Sequence, residues 1–215
     1  MEIVVSSSTS PLFNLAAEQT LLTERKGEIL FFYINAPSVI LGRNQQPEAE
    51  ADLAFCRDND IAVLKRLSGG GAVYHDPGNL NYAFFRDRGA MSILDEPPLQ
   101  QMVDALRSLG IDARAGERKE IFVGGRKVSG TAAHVTKTRE LFHGTLLVES
   151  DLGMLQRALQ GDPSRRGKCV ASVPASVANL IEFLPEGTDV RSFTGMLLSY
   201  FLDFYDIDSI RKFPE

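Results

Sequence analysis

The chain has 215 residues, 44% hydrophobic and 24% charged, and is long enough to bury a sizeable core in one large domain. Its formal charge of -5 and isoelectric point near 5.3 argue against a general nucleic-acid or membrane-surface binder, which carries a basic excess. Cys56 and Cys169 are too few for a disulfide framework, and we see neither a signal-peptide pattern nor an apolar run of membrane-spanning length. We therefore expect a protein of the reducing cytosol.

Hydrophobic periodicity predicts strands with interspersed helices. Ser10 should cap the first helix, with Pro11 at its first position and Gly27 as its stop. The predicted elements are, in chain order, a strand (2–6), that helix (11–26), the two strands of a hairpin (28–34 and 38–41), a short helix (49–59), strands on either side of a glycine run (61–64 and 72–74), a strand (78–86), a helix (99–109) after a polar loop that ends at Glu96-Pro97-Pro98, a hairpin (121–123 and 127–129), a strand (141–148), and helices over 152–159 and 188–204 before a short tail. The pattern predicts an α+β domain with a mainly antiparallel or mixed sheet.

The glycine run is Gly69 to Gly71. Without Cβ atoms this backbone can adopt positive φ angles, and a ligand can approach its amides closely, as in an anion-binding nest. Arg66 could add a bidentate grip on a phosphate or carboxylate, with Lys65 as a second positive charge. Composition alone equally allows a glycine-rich hairpin with solvated basic neighbours. A P-loop and a dinucleotide fingerprint are excluded, because neither Gly-Lys-Ser/Thr nor a helix start follows.

The order of residues from Lys65 to Asp76, KRLSGGGAVYHD, is more specific. It resembles the Arg-Arg-x-x-Gly-Gly-Gly-x-Val-Phe/Tyr-His-Asp signature of the lipoate-protein ligase A family, and the likeness continues to Tyr82. The resemblance implies a biotin/lipoate protein ligase (class II synthetase-like) catalytic domain over residues 1–215. It also implies that the smaller C-terminal accessory domain of many such ligases is absent, so we expect either a separately encoded accessory partner or a ligase that works without one.

A second motif surrounds the Gly124-Gly125 turn. Strand periodicity puts Arg126 and Lys127 on opposite faces, so at most one of them points into a given site. An isolated hairpin lysine is more often simply exposed. The segment resembles the family motif Gly-Lys/Arg-Lys-Ile/Val-Ser-Gly-x-Ala, in which Lys127 falls on the catalytic lysine.

The resemblance implies a reaction in two steps. ATP activates lipoate as lipoyl-AMP, and the lipoyl group then passes to a lysine of a lipoyl-domain protein. Lys127 would be a fixed cation between the carboxylate and the α-phosphate rather than a nucleophile. The implied acceptors are the acyltransferase subunits of 2-oxoacid dehydrogenases and the glycine cleavage H protein. The implied substrate or nucleotide contacts are Arg66, Ser68, Gly69, Gly70, Gly71, His75, Asn79, Glu120, Ser129, Gly130 and His143.

Two of these residues have open alternatives. Mg²⁺ is expected with ATP because hard phosphate oxygens prefer it, and Glu120 is the candidate ligand. The family commonly has Asn-Asp where this chain has Lys119-Glu120, and Glu120 could instead pair with Arg118 or Lys119 at the surface. His143 lies in a His-Gly-Thr-Leu-Leu segment that the family places by the acyl pocket, although a lone histidine on a strand is usually structural.

Cys169 supports a competing interpretation. Octanoyltransferases and lipoyl amidotransferases are similar in fold but carry the acyl chain as a cysteine thioester, without ATP. Two arginines of the family are also replaced, by Pro174 and Ser176. An inert cysteine, and a module that binds lipoate without turnover, are the remaining alternatives.

Overall fold

The structure is a computed structural model that describes residues 1–89, 92–93 and 98–214. Its strands are β1 (Glu2–Ser6), β2 (Ile29–Ile34), β3 (Ser38–Leu41), β4 (Ala62–Lys65), β5 (Val73–His75), β6 (Asn79–Asp87), β7 (Ala113–Ala115), β8 (Ile121–Val123), β9 (Arg126–Ser129), β10 (Thr131–Val135), β11 (Arg139–Leu147) and β12 (Arg211–Phe213). Its α-helices are α1 (Pro11–Glu24), α2 (Pro47–Glu50), α3 (Leu53–Asp58), α4 (Pro98–Ser108), α5 (Leu152–Ala158) and α6 (Val190–Tyr205). Within these residues, no helix combines the length and apolarity needed to cross a bilayer.

The strands form three sheets. The large sheet has the order β10-β11-β6-β2-β1-β12, with antiparallel pairs from β10 to β2 and parallel pairs from β2 to β12. A small sheet has the order β4-β3-β5, and a third consists of β7, β8 and β9. Helices pack on these sheets, which confirms the predicted α+β class with a mixed sheet.

Both faces of the large sheet are covered. Alternate residues of β2 point to opposite faces, so Leu30 and Phe32 pack toward α4 and α6, whereas Phe31 and Tyr33 pack toward α1. This explains why β2 is almost continuously apolar, as a strand buried on both faces must be. The small sheet has its own apolar cluster, in which Tyr74 packs with residues of α3 and α5.

Two features predicted from local sequence, a helix cap and a tight turn, are present in the structure. The Ser10 hydroxyl accepts a hydrogen bond from the Phe13 amide at the start of α1, as a capping residue does. Gly124 and Gly125 have φ angles of +56° and +77°, which suit the two-residue turn that joins β8 and β9. Both predictions are confirmed.

The predicted hairpin over 28–34 and 38–41 is wrong, because β2 and β3 lie in different sheets. Asn35, in the predicted turn, is fully buried, and its side chain bonds to Asn14 and His75. These tertiary partners convert the turn into a crossover between sheets.

The structure differs from the predicted elements at two further places, a divided helix and an additional strand in the C-terminal tail. The helix expected over 49–59 is divided into α2 and α3, because Asp52 caps a new helix by accepting from the Phe55 amide at 3.0 Å. The C-terminal tail contains β12, which pairs in parallel with β1. Glu96 and Pro97 lie outside the described residues.

Candidate active site

A cavity of about 510 Å³ lies where the large sheet, the small sheet and the β8–β9 hairpin meet. Its inner wall is formed by buried side chains of the two sheets, Tyr33, Ile40, His75, Asn81 and His143. Its outer part carries the charged side chains Arg118, Glu120 and Lys127. The cavity therefore combines a buried inner end with a charged, more exposed mouth, as ligand sites commonly do.

The glycine loop, defined as residues 66–72, runs along one wall. It connects β4 to β5, which pair with opposite edges of β3 and not with each other, so the hairpin alternative is wrong. Gly70 has a φ angle of +86°, which favours glycine. Gly42 supports the loop from below, since a Cβ there would overlap the carbonyl oxygen of Gly70.

Arg66 holds this loop from the inside. Its guanidinium donates to the carbonyl oxygens of Gly69 at 2.6 Å, Gly71 at 2.7 Å and Ile40 at 3.0 Å, and its Nε donates to Ser68 Oγ at 2.9 Å. Burial lowers the pKa of Arg66 to about 10, and the nearby Glu18 carboxylate opposes that shift, so the group stays charged at neutral pH. Most of its donors serve the loop, and the proposed grip on a ligand stays a prediction.

His143 links the same loop to α1. Its Nδ1 lies 3.0 Å from the Glu18 carboxylate and its Nε2 lies 2.7 Å from Ser68 Oγ. The Tyr33 hydroxyl donates to Glu18 at 3.0 Å, and burial together with that carboxylate raises the pKa of Tyr33. Glu18 thus orients two residues of the cavity wall, His143 and Tyr33, from behind.

Lys127 is a half-buried residue of the cavity lining. Its side chain crosses Gly130, where a Cβ would meet Nζ at 3.5 Å and Val73 Cγ1 at 3.8 Å. Partial burial lowers the pKa of Lys127, whereas the Glu120 carboxylate acts in the opposite direction. The neighbouring Arg126 points away and pairs with Glu182 at 2.8 Å, as strand periodicity predicts.

Glu120 also borders the mouth, and its Oε2 accepts from the Arg118 amide at 3.0 Å. It is the one carboxylate among the described lining residues, and no group of three or more candidate metal ligands occurs in the described part of the chain. A single carboxylate fits the way Mg²⁺ is usually held, by few protein ligands together with phosphate oxygens.

The candidate residues from the sequence divide into two groups. Those that border the cavity are Arg66, Gly70, Gly71, His75, Glu120, Lys127, Gly130 and His143. Those outside its lining are Ser68, Gly69, Asn79, Ser129 and Cys169. Ser68 and Asn79 support lining residues, since their side chains bond to His143 and Asn81, whereas Ser129 is buried against Tyr82. Cys169 is exposed.

A covering segment, residues 170–175, forms the outer wall. Ser172 fixes it, because its hydroxyl accepts from the Ala72 amide at 2.8 Å and from Gln45 at 3.0 Å. The Glu50 carboxylate accepts from the Ser172 amide at 3.0 Å. Pro174 and Ser176 replace family arginines in this region, but the contact of the segment with the glycine loop was not predicted from the sequence.

Three further polar residues at or behind the cavity wall were not predicted from the sequence. Glu18, Tyr33 and Asn81 are polar side chains on a helix face or in strands that are otherwise buried. Polar residues at buried positions need partners, and this is the signal that could have pointed to them. Their partners are distant in sequence, however, so no local motif contains them.

A family model for the catalytic domain of lipoyl protein ligases A and B matches residues 10–202. The chain belongs to this family. Lipoate-protein ligase 1 of Staphylococcus aureus, a member with a curated sequence, is 40% identical over 194 residues, which are 88% of this chain and 59% of the relative. This chain therefore spans about three fifths of that relative's length.

Solved structures of lipoate-protein ligases have the same fold. A lipoate-protein ligase A bound with ATP superposes with a TM-score of 0.81 and 30% identity, covering 100% of this chain and 90% of the other. A bipartite lipoate protein ligase from Thermoplasma acidophilum, reported with its E2 lipoyl domain, has a TM-score of 0.81 and 28% identity, covering 100% and 87%. The lipoate-protein ligase resemblance seen in the sequence is confirmed.

Proposed function

We propose that this chain is a lipoate-protein ligase, which activates lipoate with ATP and transfers the lipoyl group to a lysine of a lipoyl domain. The observation that carries this proposal is the position of Lys127. Its half-buried side chain passes Gly130 in a lining that also contains Gly70 and Gly71, so one cation would be able to contact both a carboxylate and a phosphate bound there. Family membership and the ATP-bound relative support the same activity.

In the first step a carboxylate oxygen of lipoate attacks the α-phosphorus of ATP, and the bond to pyrophosphate breaks. Two anions must approach each other, and Lys127 would bring them together and offset the negative charge that grows in the transition state. Its partial burial strengthens this effect, because fewer water molecules screen the charge. Gly70 and Gly71 border the same space and would admit a phosphate close to the backbone.

In the second step the amine of an acceptor lysine attacks the lipoyl carbonyl carbon. The bond from that carbon to the phosphate oxygen breaks, AMP leaves, and the amine loses a proton. Lys127 would again stabilise the leaving phosphate, so it acts as an electrostatic catalyst in both steps. Mg²⁺ would supply further positive charge to the phosphates, and Glu120 is the residue that would hold it.

We propose lipoyl domains of 2-oxoacid dehydrogenase acyltransferase subunits and the glycine cleavage H protein as acceptors. The E2 lipoyl domain reported with the Thermoplasma acidophilum ligase supports the first class. That ligase is bipartite, which supports a second, accessory protein for this chain also. Both cysteines are free thiols, which is consistent with a cytosolic location.

The thioester alternative needs Cys169 in the cavity. Cys169 is exposed and is not a lining residue, although the next residue, Val170, is one. Nothing in the described contacts pairs its thiol with a base. The ligase reaction is therefore the better supported proposal.

The decisive test uses the pure protein with R-lipoate and MgATP, without acceptor or accessory protein. Mass spectrometry should detect lipoyl-AMP and pyrophosphate, and added lipoyl domain should gain the mass of one lipoyl group. If no adenylate forms, the same protein is exposed to octanoyl carrier protein. An octanoyl adduct on Cys169 would then establish the transferase instead.

A further inference from the structure

The protonation state of His75 follows from a buried row of asparagines. Asn14 Nδ2 faces the backbone carbonyl oxygens of Ser8 at 2.9 Å and Ile34 at 3.3 Å, so this end of the side chain must be the nitrogen. The same nitrogen donates to Asn35 Oδ1 at 2.8 Å. The Asn35 side chain is thereby oriented with its NH₂ group toward His75.

Asn35 Nδ2 lies 2.9 Å from His75 Nδ1. Since an amide nitrogen is only a donor, Nδ1 must accept, and the single proton of the neutral ring is on Nε2. Burial, reinforced by the charge of Arg66, lowers the pKa of His75 to about 3, so the ring is neutral at physiological pH. His75 therefore presents an N–H group at Nε2.

This N–H group has no partner among the described residues. Nε2 is buried, His75 is 3% exposed, and the residue borders the cavity. Buried donors are nearly always paired in folded proteins, so an unpaired donor at a cavity wall indicates that a ligand supplies the acceptor.

The position of His75 indicates which part of a bound lipoate its N–H group would contact. Val73 and His75 are on the same face of β5, and Val73 and the Lys127 side chain both lie within 4 Å of the position that a Cβ on Gly130 would take. Two strand residues span about 7 Å, and of the two His75 is buried and Val73 half-buried, so we place His75 about that distance from Val73 toward the buried end of the cavity. The chain between the carboxyl carbon of lipoate and its ring has five C–C bonds of about 1.5 Å, which is a similar length.

We propose that His75 is a specificity-determining residue that selects a dithiolane-bearing acyl chain over a plain alkyl chain, by donating a hydrogen bond from Nε2 to a ring sulfur. This inference rests on the proposed function and deepens it. Lipoate and octanoate both have eight carbons and differ at the distal end. Octanoate offers only carbon and hydrogen there, so its binding would leave the Nε2 proton unpaired.

The discrimination arises mainly from this unpaired donor. A disulfide sulfur of the dithiolane ring is a weak acceptor, but a buried donor left without any acceptor carries the full cost of desolvation. Sites that bond a substrate group reject analogues that lack it for this reason. We expect about a tenfold preference for lipoate from this contact.

The test compares two substitutions at His75. His75→Phe keeps a ring and removes the donor, whereas His75→Gln can place an amide NH₂ near the position of Nε2. Both substitutions remove the Nδ1 atom that accepts from Asn35, so a difference between the two variants does not arise from the loss of that hydrogen bond. The readout is the ratio of kcat/KM for R-lipoate to kcat/KM for octanoate. Each value is measured from the exchange of label between pyrophosphate and ATP that depends on the added carboxylic acid.

His75→Phe should lower this ratio about tenfold, chiefly through slower use of lipoate relative to octanoate, and His75→Gln should keep it within about threefold of the wild-type value. An unchanged ratio in His75→Phe, or an equal loss with both acids, would overturn the proposal. If the unsubstituted protein exchanges pyrophosphate with neither acid, the proposed function fails instead.

A second measurement needs no substitution. The chain has three histidines, so spectra of protein with ¹⁵N-labelled histidine are readily assigned. His75 should show a proton on Nε2 at pH 7, and that resonance should move on saturation with R-lipoate and not with octanoate. A proton on Nδ1, or the same response to both acids, would contradict the proposed contact.

Discussion

His143 Nε2 lies 2.7 Å from the Ser68 hydroxyl oxygen, behind the glycine loop. Because Nδ1 of the same ring lies 3.0 Å from the Glu18 carboxylate, the imidazole connects α1 to that loop. Ser68 also accepts a hydrogen bond from Arg66, whose Nη2 donates to the loop carbonyls of Gly69 and Gly71. The loop position over the cavity therefore depends on a row of buried polar groups that begins in the first helix.

Ser68→Ala should disturb this row. Arg66 Nε and His143 Nε2 would both lose a buried partner, so we expect the free energy of unfolding to fall by about 1–3 kcal/mol and KM for ATP or lipoate to rise several-fold. Urea unfolding and pyrophosphate exchange measure the two effects. Ser209→Ala, at an exposed position, is the control and should change stability by less than about 0.5 kcal/mol. Equal behaviour of the two variants would show that the row is unimportant.

Lys127→Met should abolish adenylate formation without unfolding the protein. The charge that offsets the two reacting anions is lost, and we expect a rate decrease of at least about 100-fold. Arg126→Met is a matched control on the opposite face of β9, where the lost ion pair with Glu182 is 40% exposed and contributes little. The rate of lipoyl-AMP production measures both variants. Turnover retained in Lys127→Met would remove the central residue of the proposed mechanism.

Cys169→Ser should leave the ligase reaction nearly unchanged, because the thiol is exposed and outside the cavity lining. Lipoylation of an acceptor domain gives the rate, and circular dichroism checks the fold. A thiol reagent should label Cys169 and spare the buried Cys56 in the native protein. A folded but inactive Cys169→Ser variant would favour the thioester mechanism.

Two glycine substitutions should have opposite effects on stability. Gly42→Ala would place a Cβ against the Gly70 carbonyl, so we expect lower stability and a displaced glycine loop with weaker nucleotide binding. Gly195→Ala, inside α6, meets no atom within 4 Å and should stabilise the protein by up to about 1 kcal/mol. Thermal unfolding compares the two. A Gly42→Ala protein as stable as the unsubstituted one would show that the loop tolerates the added atom.

Acid should destabilise the protein partly through His75. Its pKa is lowered from 6.5 to about 3 by burial, so below pH 6.5 the unfolded chain binds a proton that the folded chain does not. Stability is then lost as pH falls, by up to about 1.4 kcal/mol per pH unit from this group, until the folded pKa is reached. His75→Gln should flatten the dependence of unfolding free energy on pH between 6 and 4, whereas His134→Gln, at a less buried histidine, should change it less. Identical slopes in all three proteins would contradict a buried neutral His75.

Only some of the residues that form the cavity could be predicted from the sequence. Lys127, Glu120 and Gly130, which the family motif indicated as site residues, all border the cavity because they belong to one continuous segment around a tight turn. Glu18 and the covering segment 170–175 were missed as parts of the site, because they reach the cavity from the first helix and from a loop distant in the chain. Motifs identify residues that are contiguous, whereas a cavity wall is assembled from several elements.

The sequence by itself determined the local chemistry: the cap at Ser10, the turn at Gly124-Gly125 and the opposite directions of Arg126 and Lys127. These depend on backbone conformation and on a period of two residues, both set by near neighbours. Only the tertiary structure decided that β3 lies between β4 and β5, that Arg66 Nη2 donates to carbonyls of the glycine loop, and that the Asn35 amide faces Nδ1 of His75. Each of these depends on hydrogen-bond partners far away in sequence, which folding brings together and which no local pattern encodes.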